Sequence, residues 1–501
     1  MLAVVVSRAD SASVHVGEHL REAADWTEHA DATRSDGEGG EPVYRLGGFE
    51  GDTTADPADA AAPVELREFD ALHLETEGVA DAFGRVDDGP ERDPDLLVFA
   101  SRHAGETGPL LTAHHTGNFG AAEFGGEDRA LARACPGAHR RVLEALAEHA
   151  PEGYEVGMEC THHGPTDVGA PSMFVELGSG PGEWDDPDGA RAVARAILDL
   201  RGVDPDLPGD EGSDGAADAE PGEETADRRH LVGVGGGHYA PRFERVVRET
   251  DWAVGHVAAD WSLEELGDPD SEDGRAVLDA AFTASAATRA LVDGDAPDVE
   301  RAVEELGYRV VGETWVRETT GVPLGLVATL EDALGPVEAG TRFGDPARAV
   351  ETPADATAGP GAPAVEDLVV APLPGALLAE AQGIDADATR AAVADTALAF
   401  ETTDNGARAT GRAAFADAVD RERLVDGLAD VLAGEYEVER TDDAVLAREA
   451  AFDPDRARTL GVPEGPAFGK LSAGQPVEVD GETVHPETVH VERERRFPVE
   501  E

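Results

Sequence analysis

The run Leu2-Ala-Val-Val-Val-Ser7 opens the chain, and it is short, continuous and rich in valine. A run of this length without polar interruption predicts a strand that is buried on both faces, as in a mainly parallel sheet. Residues 11–28 follow with apolar side chains at helical spacing, so they predict a helix that packs against this strand. The first thirty residues therefore predict a strand followed by a helix.

The same kind of run recurs along the first three fifths of the chain. Several of the runs precede segments with helical periodicity, and this alternation is typical of α/β proteins. We therefore predict an α/β fold with a mostly parallel or mixed central sheet flanked by helices. The predicted strands lie at residues 71–74, 96–101, 110–113, 154–160, 173–177, 231–234, 252–257 and 308–311.

With 501 residues the chain is longer than a single hydrophobic core usually serves. We predict one domain over residues 1–311 and a smaller α+β domain over residues 312–501. Stretches rich in Asp, Gly, Ala and Pro near residues 30–63 and 203–229 predict acidic surface insertions, and residues 352–363 resemble a linker. Almost all histidines precede residue 260, so the chemistry is expected in the first domain.

The charge balance is strongly acidic, with 105 Asp and Glu against 40 Lys and Arg and a formal net charge of −65. Acidic residues are interleaved with apolar ones at helix and strand spacing, which argues against a disordered chain. At an ionic strength of ~1 M the Debye length falls to about 3 Å, so the self-repulsion is screened. We interpret the charge as adaptation to a salt-rich cytoplasm, where it does not exclude a nucleic-acid ligand.

The chain contains only two cysteines, which excludes a disulfide framework and a four-cysteine zinc site. Its first apolar run is too short for a signal peptide, and no apolar stretch of about 18 residues occurs. We expect a cytoplasmic monomer with no membrane association.

Histidines cluster beside the ends of the predicted strands, where α/β sheets place their sites. Three imidazoles with one open position can hold a zinc ion whose bound water ionises near neutral pH. Glu159 is the carboxylate best placed to act as a general base or to orient a ligand histidine. The alternative is that these histidines and Glu159 are ordinary surface residues of an acidic protein. The clusters are Ser101-Arg-His103, Thr112-Ala-His-His115, Glu159-Cys-Thr-His-His163 and Gly235-Gly-Gly-His238.

Other catalytic motifs are absent. Gly233-Val-Gly235 begins like a dinucleotide-binding loop, but His238 occupies the third glycine position and would crowd a pyrophosphate. The sequence contains no His-Glu-x-x-His zinc-protease helix, no Gly-x-Ser-x-Gly elbow and no Walker loop.

Four motifs in order resemble those of the archaeal and plant type of D-aminoacyl-tRNA deacylase. The resemblance covers residues 1–311 and implies an α/β fold related to peptidyl-tRNA hydrolases and nucleoside phosphorylases. It also implies Zn²⁺ as cofactor, the acceptor end of D-aminoacyl-tRNA as partner, and hydrolysis of the ester that joins the D-amino acid to tRNA. Such hydrolysis recycles mischarged tRNA. The motifs are Ala100-Ser-Arg-His103, Leu111-Thr-Ala-His-His-Thr-Gly-Asn118, Thr161-His-His-Gly-Pro165 and Gly235-Gly-Gly-His-Tyr-Ala-Pro241.

The resemblance and the strand-end argument together suggest roles for ten residues. We expect metal ligands, catalytic groups for proton transfer and oxyanion binding, and backbone that approaches the substrate closely. His115 carries less weight as a site residue, because it does not match a family histidine. The expected ligands are His103, His114, His162 and His238, the catalytic residues are Glu159, His163 and Asn118, and the substrate-binding residues are Gly117, Gly236 and His256.

Two other functions remain open from the sequence. One is metal-dependent hydrolysis of a small ester or amide metabolite, which would not require tRNA. The other is a non-catalytic tRNA-binding protein whose histidines and arginines contact the acceptor end.

Overall fold

The computed structural model describes residues 1–47, 62–87, 89–208, 228–350 and 368–499. These residues form two compact units, Met1–Thr320 and Gly321–Glu501.

The first unit contains twelve strands among its described residues: β1 (Leu2–Ser7), β2 (Thr27–His29), β3 (Glu38–Leu46), β4 (Val64–Phe69), β5 (Leu96–Arg102), β6 (Leu110–His114), β7 (Glu155–Met158), β8 (Ser172–Gly178), β9 (His230–Gly235), β10 (Ala253–Ala258), β11 (Arg289–Asp293) and β12 (Arg309–Val311). Its helices are α1 (Ser11–Ala23), α2 (Pro136–His149), α3 (Pro181–Trp184), α4 (Pro187–Leu198), α5 (Pro241–Glu249), α6 (Asp260–Leu266), α7 (Glu272–Ala284), α8 (Pro297–Glu305) and α9 (Glu313–Glu318). Short 3-10 helices lie at His73–Glu75 and Val79–Ala82.

The larger sheet has eight strands in the order β2-β3-β4-β1-β5-β8-β6-β7. β1 is parallel to β4 and β5, and β5 is parallel to β8. β6 runs antiparallel to β8, and β3 runs antiparallel to both of its neighbours, β2 and β4. All six residues of β1 are buried, as its valine run predicts. The predicted mixed central sheet is confirmed.

A second sheet of four parallel strands has the order β10-β9-β11-β12. Its core includes Val232, Val234 and Phe282, and α7 packs against both β9 and β10. This sheet meets the larger one after β9 and β7, where the N–H of Cys160 donates to His238 O over 2.8 Å.

Helix α1 illustrates how the sequence terminates β1 and begins the next element. The side chain of Asp10 accepts hydrogen bonds from the backbone N–H groups of Ala12 and Ser13, which satisfies two donors at the helix N-terminus. Its other oxygen accepts from the backbone N–H of Arg102. The same cap therefore holds the end of β5, immediately before His103.

The strand prediction for the first unit is wrong at one run, and it misses β2, β3, β4 and β11. Residues 71–74 do not form a strand, and the neighbouring strand is β4, whose Glu65 and Arg67 hide its buried character in the sequence. Both charged side chains are buried and paired, with Nε of Arg67 2.7 Å from Oε1 of Glu65. The predicted insertion at residues 30–63 contains β3, which pairs with β4 through residues that include Arg45, a partner of Glu65.

Most of the other predicted insertion and linker residues lie outside the described part of the chain. Residues 48–61, 209–227 and 351–367 belong to this group.

The second unit combines helices with antiparallel strands. One sheet has the order β13-β15-β16-β14, a second has the order β17-β18-β21, and β19 and β20 form a hairpin. Its strands are β13 (Thr341–Phe343), β14 (Val369–Pro372), β15 (Ala399–Thr403), β16 (Arg408–Phe415), β17 (Glu437–Arg440), β18 (Ala444–Phe452), β19 (Val477–Val479), β20 (Glu482–Val484) and β21 (His490–Pro498). Its helices are α10 (Leu324–Leu334), α11 (Asp345–Arg348), α12 (Gly375–Ile384), α13 (Ala386–Ala394), α14 (Ala418–Leu432), α15 (Pro454–Thr459) and α16 (Pro466–Ser472), with 3-10 turns at Val337–Ala339, Asp404–Gly406 and Pro486–Thr488.

Over the described ranges, none of the helices combines the length and the apolar character needed to cross a lipid bilayer.

Candidate active site

The antiparallel direction of β6 brings His114 into the sheet next to β8. His114 pairs with Phe174, while Thr112, two residues earlier on the same face, pairs with Glu176. This diagonal relationship leaves Nε2 of His114 3.7 Å from Oε1 of Glu176, with both side chains buried. The site therefore extends across a face of the sheet and is not confined to one row of strand ends.

The segment after β7 directs His162 and His163 to the same place. Adjacent residues of a continuing strand would face opposite sides, but His163 adopts a positive φ of 46°, which turns the backbone. The ring centroids of His162 and His163 are 4.4 Å apart, and they lie 4.2 Å and 4.9 Å from that of His114. The turn expected near Gly164-Pro165 is present and gathers three imidazoles.

These three imidazoles share one hydrogen-bonding pattern. In each ring Nδ1 contacts a backbone carbonyl oxygen: His115 O at 3.1 Å for His114, Cys160 O at 2.9 Å for His162 and Gly164 O at 2.8 Å for His163. Because only an N–H can donate to a carbonyl, Nδ1 carries a proton in each ring, and Nε2 is the nitrogen that the neutral form of each ring offers as a ligand. A ring nitrogen of each histidine lies within 4.8 Å of those of the other two.

Glu159 follows β7 directly and is almost completely buried. Its Oε2 accepts a hydrogen bond from Nε2 of His238 over 2.8 Å, and Nε2 of His103 and of His162 lie 3.7 Å and 3.8 Å from its carboxylate oxygens. Burial alone would raise the pKa of Glu159, but the hydrogen bond from His238 and the charges of the surrounding histidines lower this pKa overall. The carboxylate is therefore ionised at neutral pH.

His238 lies just beyond β9, and its side chain is about one third exposed. Nδ1 of His238 lies 3.6 Å from Sγ of Cys160. The contacts with Cys160 and Glu159 raise the pKa of His238 to about 10. Burial and the neighbouring rings have the opposite effect on the pKa of His163, which falls to about 3.

His103 is positioned by groups from two other segments. Nδ1 of His103 contacts Oγ of Ser179 at 3.0 Å, and its Nε2 contacts the hydroxyl of Tyr239 at 3.3 Å. The indole N–H of Trp184 donates to the backbone oxygen of His103 over 2.9 Å. A Cβ on Gly178 would lie 2.5 Å from Cβ of His103, so only glycine leaves room for this ring.

The donor set fits a divalent cation. Among the residues that the structure describes, Nε2 of His114 and Oε1 of Glu159 are buried and accept or donate no hydrogen bond. Buried polar atoms without a partner are costly, and a cation bound beside either atom would satisfy it. Three groups of these neighbouring side chains have the spacing of metal ligands: His114, His162 and His163; Cys160, His162 and His238; and His103, Glu159 and His238.

A cavity of about 230 Å³ opens beside the histidines. His162, His163 and His238 line it together with Gly117 and Asn118. Nδ2 of Asn118 donates to the carbonyl oxygens of Gly125 at 3.0 Å and Glu127 at 3.1 Å, and the N–H of Gly117 donates to His163 O over 2.8 Å. Both amide hydrogens of Asn118 thus hold the 120–127 loop, and neither is free for an oxyanion.

The remaining two expected substrate-binding residues lie outside this cavity wall. His256 is completely buried, with Nε2 2.8 Å from Ala132 O and Nδ1 3.0 Å from the hydroxyl of Thr161. The N–H of Gly236 donates to Oδ1 of Asp260 over 3.0 Å. His115 packs against His256 with ring centroids 5.8 Å apart, and Nε2 of His115 accepts from Cys135 N over 3.2 Å.

Sequence reasoning missed three residues of the site, Glu176, Tyr239 and Cys160 as a neighbour of His238. Glu176 interrupts the apolar run 173–177, and a lone carboxylate in an otherwise buried strand is the signal that would have identified it. Tyr239 is adjacent to His238 in a quoted motif, but its contact with His103 joins residues 136 positions apart.

Comparison with known proteins agrees with these features. The family model described as D-aminoacyl-tRNA deacylase matches residues 90–311. The D-aminoacyl-tRNA deacylase of Haloarcula marismortui is 53% identical over 99% of this chain and 100% of its own, and that of Natronomonas pharaonis is 52% identical with the same coverage. The D-aminoacyl-tRNA deacylase of Methanoregula boonei is 34% identical over 81% of this chain and 86% of its own.

Among solved structures, a conserved protein of unknown function is 27% identical, with a TM-score of 0.48 over 64% of this chain and 98% of that chain. The haloarchaeal relatives match nearly the whole length, so they share the region after residue 311 as well. Full-length identities above one half, together with the family model over residues 90–311, assign the family: this chain belongs to the D-aminoacyl-tRNA deacylases.

Proposed function

We propose that the protein hydrolyses the ester bond of D-aminoacyl-tRNA in the cytoplasm of a halophile, releasing the D-amino acid and tRNA. The observation that carries this proposal is that His103, His162 and His238 surround the buried carboxylate of Glu159, and that His114 and His163 lie against His162, beside a cavity. Family membership supports the substrate, since the relatives are named for this reaction.

We further propose that His114, His162 and His163 hold a Zn²⁺ ion through Nε2. Their Nδ1 atoms donate to backbone carbonyls, which is the arrangement that fixes ligand histidines in other zinc sites. When bound there, zinc would polarise the ester carbonyl and lower the pKa of a coordinated water. In this proposal His163 joins the ligands, and His103 and His238 stay with Glu159.

The pair of Glu159 and His238 handles protons. Oε2 of Glu159 and Nε2 of His238 are 2.8 Å apart, and the ring of His238 lines the cavity. Glu159 holds the Nε2–H of His238, orients the ring and balances its positive charge. Nδ1, whose contact with Sγ of Cys160 is long at 3.6 Å, then carries the proton that passes to the departing 3′ or 2′ oxygen of the ribose. His103, which contacts Ser179 and Tyr239, lies beside the other carboxylate oxygen of Glu159, with Nε2 3.7 Å from Oε1.

Discrimination of handedness requires a wall that clashes with one of the two enantiomers, because attraction to the α-amino group serves both. Gly117 lines the cavity with φ of 155°, and a Cβ there would lie 2.4 Å from Cδ2 of Leu131. The bare backbone at this position can approach the Cα of the substrate closely. We propose that it forms the wall.

The test is hydrolysis of D-tyrosyl-tRNA and L-tyrosyl-tRNA in molar KCl by the wild-type protein, His162→Ala and His238→Ala. We expect the D ester to be cleaved preferentially and both variants to lose activity at least about 100-fold. His149→Ala provides a control, because His149 pairs with Asp199 away from the site. Wild-type rates in both site variants would refute the proposal.

The same assay separates the two alternative functions. Turnover of free D-amino acid esters without turnover of any aminoacyl-tRNA would indicate a small-metabolite hydrolase. Binding of tRNA without hydrolysis, together with no metal by elemental analysis, would indicate a non-catalytic binding protein. Sedimentation in the same buffer measures the oligomeric state, for which a monomer stays our prediction.

A further inference from the structure

Two exposed aromatic side chains line the same cavity as the histidines. Phe124 is 65% exposed and Trp261 is 38% exposed, and both contribute to its wall. The other large apolar side chains that the described residues expose, Val370, Val419 and Leu460, are aliphatic and belong to the second unit. The exposed aromatic surface described in this protein is therefore concentrated at the candidate active site.

The backbone around Phe124 is held firmly although its ring is exposed. Asn118 donates to the carbonyl oxygens of Gly125 and Glu127, and the N–H of Gly164 donates to Phe124 O over 3.0 Å. Gly164 follows His163 directly, so the segment that carries a proposed zinc ligand also fixes the position of Phe124. An exposed apolar ring on a backbone that is held by hydrogen bonds is suited to contact with a ligand.

Trp261 is anchored to the loop that carries His238. It is the second residue of α6, and the preceding Asp260 exchanges two hydrogen bonds with Gly236: its N–H donates to Gly236 O over 2.9 Å, and its Oδ1 accepts from Gly236 N over 3.0 Å. Ser262 and Leu266 of α6 are buried, whereas Trp261 faces the cavity. Backbone hydrogen bonds therefore join the Phe124 segment to that of His163 and the Trp261 segment to that of His238.

We infer that Phe124 and Trp261 bind the terminal nucleobase of the tRNA acceptor end by stacking. This inference rests on the proposed function. The scissile ester and the terminal base belong to the same nucleoside, so a base-binding surface must adjoin the reacting centre. Proteins generally recognise unpaired RNA ends by stacking the bases on aromatic side chains. The cavity presents two such rings beside His162, His163 and His238.

The charge of the protein favours stacking over phosphate contacts. The formal net charge is −65, and Glu123 and Glu265 also line the cavity, so a phosphate would be repelled there. These carboxylates can instead accept hydrogen bonds from the exocyclic amine of adenine or cytosine. Stacking on neutral rings also keeps its strength in concentrated salt, where ionic contacts are screened.

The experiment compares Phe124→Ala and Trp261→Ala on three esters of one D-amino acid in molar KCl: D-tyrosyl-tRNA, 3′-O-(D-tyrosyl)adenosine and D-tyrosine ethyl ester. We expect kcat/KM for the two nucleoside-containing substrates to fall about 5- to 100-fold further than kcat/KM for the ethyl ester. Trp261→Phe keeps a ring and should recover most of the loss. Leu460→Ala, an exposed apolar residue of the second unit, serves as the control.

Binding of adenosine, measured by equilibrium dialysis in molar KCl, provides a readout that depends neither on turnover nor on the fluorescence of Trp261. The wild-type protein should bind it, and Trp261→Ala and Phe124→Ala should bind it at least about 5-fold more weakly. Equal losses on all three esters would assign the rings to the amino-acid side chain, and unchanged kinetics would assign them no role; either result overturns the inference. If the wild-type protein cleaved none of the esters, the proposed function would fail, and the adenosine binding measurement would still decide the inference.

Discussion

Oε2 of Glu159 and Nε2 of His238 are 2.8 Å apart although 79 residues separate them in the chain. Glu159 follows β7 of the larger sheet, and His238 follows β9 of the parallel sheet. Two backbone hydrogen bonds support this junction, from Cys160 N to His238 O over 2.8 Å and from Thr161 N to Val257 O over 2.9 Å. The proposed proton-handling pair therefore depends on the correct packing of two sheets.

Replacement of Glu159 by Gln tests the role of its charge with little change of shape. The variant should keep its fold, because the amide oxygen can still accept from His238, but kcat for D-tyrosyl-tRNA should fall at least about 100-fold. Glu144→Gln on α2, which pairs with Arg140 at the surface, is the control. A kcat close to that of the wild-type protein would remove Glu159 from the mechanism.

The adjacent histidines His114 and His115 allow a controlled test of metal binding, because only His114 belongs to the proposed ligand set. Nε2 of His114 has no hydrogen bond among the described residues, whereas Nε2 of His115 accepts from Cys135 N over 3.2 Å. We expect His114→Gln to lose zinc after dialysis against a chelator, and His115→Gln to retain zinc but unfold at a lower temperature. Elemental analysis and thermal unfolding in molar KCl measure both effects, and equal zinc content in the two variants would contradict the proposed ligand set.

Gly178 and Gly182 provide a test of the packing around His103. A methyl group at Gly178 would lie 2.5 Å from Cβ of His103, whereas at Gly182 it would meet no atom within 4 Å. Gly178→Ala should therefore displace the ring and lower kcat/KM about 10-fold or more, since small misplacements of catalytic groups are costly. Gly182→Ala should behave as the wild type, and similar activity of both variants would show that His103 is not required in this position.

His230 predicts a pH dependence of stability away from the site. Its Nδ1 donates to Ser285 O over 3.0 Å and its Nε2 accepts from Leu207 N over 2.9 Å, so the buried ring is neutral. Burial lowers the pKa of His230 from 6.5 to about 4. Between these values the unfolded chain binds a proton that the folded protein does not, and the free energy of unfolding decreases as the pH falls.

This contribution amounts to about 2 kcal/mol between pH 7 and pH 5, at ~1.4 kcal/mol for each pKa unit. His230→Gln should reduce the pH dependence of the unfolding free energy by about that amount, as measured by urea titration at the two pH values in molar KCl. His485→Gln changes an exposed histidine and should leave the dependence unaltered. An unchanged slope in His230→Gln would disprove the assignment.

The sequence by itself was sufficient where local patterns carry the information. The valine run of β1 indicated a strand buried on both faces, and the strand and helix alternation indicated a mixed α/β sheet, because periodicity reflects which face of an element is buried. The ordered histidine motifs indicated the family.

Tertiary structure alone decided which of these side chains meet. Glu176 is hidden in a buried strand, and its approach to His114 results from the antiparallel pairing of β6 with β8. The positive φ at His163 turns two adjacent rings to one side. His256 instead lies in a buried cluster, where its ring nitrogens contact Thr161 and Ala132. Such relationships depend on strand direction, on single backbone torsions and on packing between sheets, none of which a linear pattern of residue types encodes.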